Sequence, residues 1–118
     1  MADVIALSGL RVRGFHGVLA SERVEGQDFV VDCELDVDTR RAAASDDVAD
    51  TVDYGAVAAA LAQVVAGEPV DLIETLAQRL ADTCLGFPGV QTVRLTVRKP
   101  SAPIPLTFTD VSVTVVRP

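Results

Sequence analysis

Across residues 27–38 the apolar side chains take every second position: Phe29, Val31, Cys33, Leu35 and Val37 share one parity, and Val30, Asp32, Glu34, Asp36 and Asp38 the other. A period of two sends the two sets to opposite faces of a strand, which predicts a half-buried strand with an acidic outer side. The same period returns where Val93, Leu95 and Val97 alternate with Thr92, Arg94, Thr96 and Arg98, and again in Val111, Val113 and Val115. Nearer the start, Ile5 and Leu7 hold one parity and Leu10 and Val12 the other, with Ser8-Gly9 at the change. That switch predicts a strand with a bulge.

Between Asp53 and Gly86 the period lengthens. Val57, Leu61, Val64 and Val65 recur at i, i+4, i+7 and i+8 behind Asp53, a suitable N-cap, and Gly67 with Pro69 ends the run. Ile73, Leu76, Ala77, Leu80, Ala81 and Cys84 repeat the stripe from behind Asp71 to Gly86 and Pro88. Two helices are predicted. Three connections stand out. Gly14-Phe15-His16-Gly17 through Glu25-Gly26-Gln27 is a loop long enough to carry function. Arg40 to Asp53, rich in Ala, Ser and Asp, predicts a structured loop with room for a short helical turn. Lys99-Pro100-Ser101-Ala102-Pro103-Ile104-Pro105 is stiff, because its prolines fix φ and lack donors.

The order β-β-α-α-β-β predicts an α+β domain over residues 1–118: two helices on one face of a four-stranded, mostly antiparallel sheet. Such a sheet has two edges to protect. Asp32, Glu34 and Asp36 on the outer side of the second strand, with Arg94 and Arg98 on the third, suggest subunits joined edge to edge around a charged interior.

Composition narrows the partners. The chain carries 17 acidic against 10 basic residues, a net charge of −7, so a field that attracts nucleic acid or anionic lipid is lacking. The opening Met1-Ala2-Asp3-Val4 has no basic leader, and no apolar run reaches the roughly 20 residues of a membrane span, which points to the cytoplasm. Cys33 and Cys84 lie in apolar patterns and read as buried, reduced thiols. One histidine and no C-x-x-C or H-E-x-x-H leave no metal site in view. Asp46, Asp47, Asp50 and Asp53 lack the glycine and terminal glutamate of a calcium loop.

Four side chains sit at element boundaries, where a scaffold presents reactive groups: Glu22, Tyr54, Glu74 and Lys99. Each also has an ordinary reading. Asp71-Leu72-Ile73-Glu74 fits a capping box, in which the glutamate turns back onto the N-cap amide. Glu22 reads as a loop carboxylate paired with Arg23 or another local base, Lys99 as a surface lysine closing a strand, and Tyr54 as the cover of a helix end. His16 reads either as a turn histidine bonding nearby backbone or as a pocket wall.

Four separated motifs bear on these readings, while both readings of His16 stay open. Gly14-Phe15-His16-Gly17-Val18 followed by Glu22, the stretch Ser45-Asp46-Asp47 with Asp50-Thr51-Val52-Asp53-Tyr54, Leu72-Ile73-Glu74-Thr75-Leu76-Ala77, and Val97-Arg98-Lys99-Pro100-Ser101-Ala102-Pro103-Ile104-Pro105 resemble, in order and spacing, those of the dihydroneopterin aldolase family. The resemblance implies the tunnelling fold, with four subunits closing their sheets into a ring and two rings stacking into a homo-octamer whose sites lie between subunits. It implies a carbon–carbon lyase of folate biosynthesis that cleaves 7,8-dihydroneopterin without metal, Schiff base or cofactor. Catalysis is then expected of Lys99, Tyr54 and Glu22. Binding of the pterin is expected of Glu74, Glu22, Ile73, Val52, Asp53, Tyr54 and His16, with Tyr54 reaching in from the adjacent chain. Two rival readings stand beside it: a dihydroneopterin triphosphate 2′-epimerase of the same fold, and a non-catalytic pterin-binding ring protein.

Overall fold

The structure, a computed structural model, describes residues 2–118; Met1 of the opening stretch lies outside them. Strand β1 (Asp3–Gly14) is followed by a short helix α1 (Ala20–Glu25), strand β2 (Gln27–Val37), a second short helix α2 (Arg40–Ser45) and a 3₁₀ turn at Val48–Asp50. Helices α3 (Tyr54–Ala66) and α4 (Ile73–Leu85), then strands β3 (Thr92–Arg98) and β4 (Ser112–Arg117), complete the chain. The four strands form one antiparallel sheet in the order β1-β2-β3-β4, so every long element expected from periodicity is present. The additions are α1, inside what reads as a loop, and α2 with its 3₁₀ turn, where a single helical turn was expected.

One face of the sheet and the facing stripes of α3 and α4 make the core. Phe29, Val31, Cys33, Leu35, Val93, Leu95 and Val97 meet Val57, Leu61, Val65, Leu76, Leu80 and Cys84, all buried. Helix α3 lies against β1, and α4 against β3 and β4. Cys33 and Cys84 come together here as free thiols, and the hydrogen bond they share, reinforced by burial, pushes the Cys84 thiol well up from its ordinary value. The bulge in β1 is where the parity switch puts it. The β1–β2 register shifts between Leu7 and Leu10, Gly9 takes a positive φ of 74°, and its amide donates to Asp32 Oδ1 at 2.7 Å.

The charged outer side of the sheet differs from expectation in one respect. Strands β2 and β3 are the two central strands and pair with each other, with Glu34 opposite Arg94, and Arg98 Nε donates to Asp32 Oδ2 at 2.7 Å. Their complementary charges therefore meet inside one subunit, and the open edges are β1 and β4. Among the described residues, no helix is long and apolar enough to cross a membrane.

Candidate active site

Glu22 is the third residue of α1, and in that position its carboxylate reaches back to the start of the helix: Oε1 accepts from the Leu19 amide at 3.2 Å. This is the capping geometry that the sequence suggested for Glu74. Helix α4 instead starts at Ile73 behind Leu72, whose extended φ of −113° suits a cap but whose side chain cannot accept a hydrogen bond. Asp71, the expected cap, is turned away to Arg23, Oδ1 to Nη2 at 2.5 Å. Arg23 Nε also donates to the Gly17 carbonyl at 2.9 Å, so one guanidinium ties the Gly17 loop to the entry of α4.

Gly17 has a φ of +150°, and a Cβ there would overlap the Glu22 carboxylate. The missing side chain is what lets Glu22 fold inward to 8% exposure. Its Oε2 meets Lys99 Nζ in an ion pair whose two side chains are only 12% and 7% exposed. Lys99 follows β3 directly, and its amide is held by the Val111 carbonyl at 2.7 Å while Pro100 stiffens the next step. Burial pushes the Glu22 carboxyl up, but the hydrogen bonds from Lys99 and the Leu19 amide, the Lys99 charge and the Gln27 amide together outweigh it. The net effect holds the carboxyl below its ordinary value. The bland readings of an exposed Glu22 beside Arg23 and of a surface Lys99 do not hold.

This pair opens onto a cleft of about 390 Å³ lined by Glu22, Lys99, Ile73, Glu74 and Asp71, with Val18, Leu72, Ala102, Ile104, Val111 and Val113 as apolar walls. Glu74, on the first turn of α4, is exposed and lines the same cleft as the pair. An ammonium, the carboxylates of Glu22 and Glu74 with that of Asp71 nearby, and apolar walls are the elements needed to hold a planar, polar-edged ring and to act on a substituent beside it. The sequence reading named Glu22, Lys99, Glu74 and Ile73 but missed Asp71, which it took for a helix cap, and the walls. Leu72 and Ile104 carried a signal, since they are apolar residues outside every predicted core stripe.

The other expected residues sit elsewhere on the chain. Asp53 caps α3, its Oδ1 accepting from the Gly55 and Ala56 amides at 3.0 and 3.2 Å. Val52 and Asp53 line a separate cleft of about 490 Å³ with Asp38, Arg41 and Pro88, and Tyr54 beside them is 66% exposed. His16 lines neither cleft. Its Nδ1 accepts from the Val70 amide at 3.0 Å, which fixes Nε2 as the donor to the Val65 carbonyl at 2.7 Å. It bonds backbone, as a turn histidine would, but backbone far along the chain, and it packs edge-on against Phe29 at 5.3 Å.

The family model described as dihydroneopterin aldolase (FolB) matches residues 5–116. The chain belongs to the dihydroneopterin aldolase family. A dihydroneopterin aldolase of Streptomyces coelicolor is 55% identical over 115 residues, covering 98% of this chain and 97% of its own. The solved structure of the Escherichia coli dihydroneopterin aldolase in complex with neopterin superposes with a TM-score of 0.87 at 32% identity, covering 98% of this chain and 99% of that one. A dihydroneopterin aldolase of Burkholderia thailendensis bound to guanine gives 0.80 at 28% identity, covering 98% and 90%. Dihydroneopterin aldolases are carbon–carbon lyases of folate biosynthesis, and the β-β-α-α-β-β order seen here is the fold of these structures.

Proposed function

We propose that residues 1–118 form one catalytic domain that cleaves 7,8-dihydroneopterin between C1′ and C2′ of its side chain, giving 6-hydroxymethyl-7,8-dihydropterin and glycolaldehyde in the cytoplasm. The observation that carries this reading is the enclosed Glu22–Lys99 pair sharing an apolar-walled cleft with Glu74. Retro-aldol cleavage needs an electron sink, and the C6=N5 imine of the dihydropterin supplies one. The 2′-hydroxyl gives up its proton, its oxygen–hydrogen electrons become the aldehyde C=O, and the C1′–C2′ pair flows through C6 to N5. Protonation of N5 leaves an enol, and a proton delivered to C1′ with loss of the N5 proton completes the product.

Glu74 is assigned to the pterin edge, where one carboxylate accepts two parallel hydrogen bonds from the 2-amino group and N3–H. The ligands named for the two solved relatives, neopterin and guanine, both present that edge. Backbone at Ile73 adjoins it. Lys99 is placed at N5 and the side chain, and Glu22 binds the hydroxyls and holds Lys99. Tyr54, with Val52 and Asp53, is assigned to a neighbouring copy's site, relaying the proton to C1′, because it stands exposed and away from its own cleft. Re-addition of the enol carbon C1′ to the opposite face of the glycolaldehyde carbonyl, whose carbon becomes C2′, gives C2′ epimerisation as a side activity. A triphosphate substrate is disfavoured, since Lys99 is the one cation lining the cleft among the described residues and Glu22 already matches it.

Purified protein in chelator-containing buffer is expected to convert dihydroneopterin to the two products, separated by chromatography. Lys99→Ala should lower kcat by about two to four orders of magnitude while still binding pterin, as loss of a general acid–base group does. Glu74→Ala should instead lose pterin binding. An intact wild-type oligomer that cleaves nothing would sink the aldolase reading.

A further inference from the structure

Gln27 is the first residue of β2, opposite Gly14, and the Gly26 turn with its φ of +70° delivers it beneath α1. Its side-chain Nε2 donates to Glu22 Oε2 at 3.1 Å, the same oxygen that meets Lys99. The orientation of this amide is dictated, because flipping it would set a carbonyl oxygen against a carboxylate. The consequence is that Gln27 Oε1 lies buried with no partner among the described residues. A buried acceptor left unpaired is a cost to the fold, and one retained beside a reactive pair asks for a reason.

We propose that Gln27 is a positioning residue: its side-chain amide fixes the Glu22 carboxylate in the orientation in which Oε2 meets Lys99 at the cleft. Three donors hold the carboxylate, the Leu19 amide on Oε1 and Gln27 and Lys99 on Oε2. Of these, Gln27 alone is a neutral side chain. It adds a hydrogen bond without the second positive charge that would compete with Lys99, and without the second negative charge that a glutamate would bring. The remaining charged groups nearby are engaged elsewhere. Arg23 is turned to Gly17 and Asp71, Arg13 to the carbonyls of Glu25 and Gly26, and Asp28 to Arg11. His16 is spent on the backbone of Val65 and Val70, and Glu74 lines the same cleft.

The inference rests on the role given to Glu22 and Lys99 above, so its test needs a readout that does not depend on turnover. Gln27→Met removes the donor at similar volume. Gln27→Glu keeps the shape, retaining the fold if the thioether does not, and replaces the donor with an acceptor. The Glu22 carboxyl is followed by carbon-13 NMR titration in the full-length protein, beside the pH dependence of kcat on dihydroneopterin. The expected result is a Glu22 titration displaced upward in Gln27→Met and further upward in Gln27→Glu. The acid limb of kcat should move with it, and KM for the pterin should change little because Glu74 is untouched. A Glu22 titration that stays in place in both variants, or one that moves while the kcat profile does not, overturns the proposal. If wild type cleaves no dihydroneopterin, the aldolase reading fails on its own, and the carboxyl titration still decides whether Gln27 holds Glu22.

Discussion

His16 is a neutral imidazole by construction. Val70 N–H points at Nδ1, so a proton on that nitrogen would set two donors against each other, and burial further lowers the pKa of the ring below its ordinary value near 6.5. A base whose pKa is depressed by folding contributes stability that is whole above the unfolded value and is lost as pH falls below it. Resistance to thermal or urea unfolding should therefore weaken from about pH 6.5 downward, and His16→Phe should abolish that part of the slope. His16→Phe should also destabilise at neutral pH by on the order of 1–3 kcal/mol for each backbone group left unpaired, at Val65 and Val70. A variant as stable as wild type, with the same pH slope, would contradict this bridging role. Glu22 acts in a separate window. Its lowered pKa means that its contribution is present above about pH 4.5 and disappears under more acid conditions.

At the scale of the element, the start of α4 gives up stability for the sake of the cleft. Leu72 occupies the cap position and offers no acceptor, yet it lines the site and is 49% exposed. Leu72→Ser supplies the missing cap and should raise unfolding stability by about 1 kcal/mol, while KM for the pterin rises as an apolar wall is lost. Calorimetry and kinetics on the same preparation read both effects, and a loss of stability would refute the capping argument. This residue also shows where sequence reading stops. Alternation and helical stripes located all four strands, both long helices and the Gly9 bulge, because burial imposes a period on the residues themselves. The D-x-x-E spelling at Asp71 and Glu74 suggested a capping box, but capping is decided by which acceptor is left over once longer-range partners have been served. Arg23 takes Asp71, and Leu19 offers its amide to Glu22 instead. The meeting of Glu22 with Lys99, distant in sequence, and the place of Gln27 behind them depend on how β1, α1 and β3 stack, which no local period encodes.

At the scale of the whole molecule, the expected site residues fall into two groups: Glu22, Ile73, Glu74 and Lys99 around one cleft, and Val52, Asp53 and Tyr54 away from it. Exposed apolar residues flank the first group, Val18 at 69%, Leu72 at 49% and Ile104 at 41%, as a surface awaiting cover would. If Tyr54 serves a neighbouring copy, two inactive variants should repair one another. Co-expressed Tyr54→Phe and Lys99→Ala chains should recover activity in roughly a quarter of their sites, where both unaltered halves meet. Purified mixed oligomers without activity would place Tyr54 outside the shared site.

The pairing of β2 with β3 reaches further than sheet stability. Copies of a chain of net charge −7 would have to gather against mutual repulsion. On the outer side of this sheet, however, Asp32 is already met by Arg98, and Arg98 by Asp110, and Glu34 lies opposite Arg94. A lumen walled by such sheets would be partly self-neutralised, two guanidinium groups standing among the carboxylates of Asp32, Glu34, Asp36 and Asp110. Assembly through these sheets would then need fewer counterions from solution than a lumen of wholly unpaired carboxylates, which would push the subunits apart.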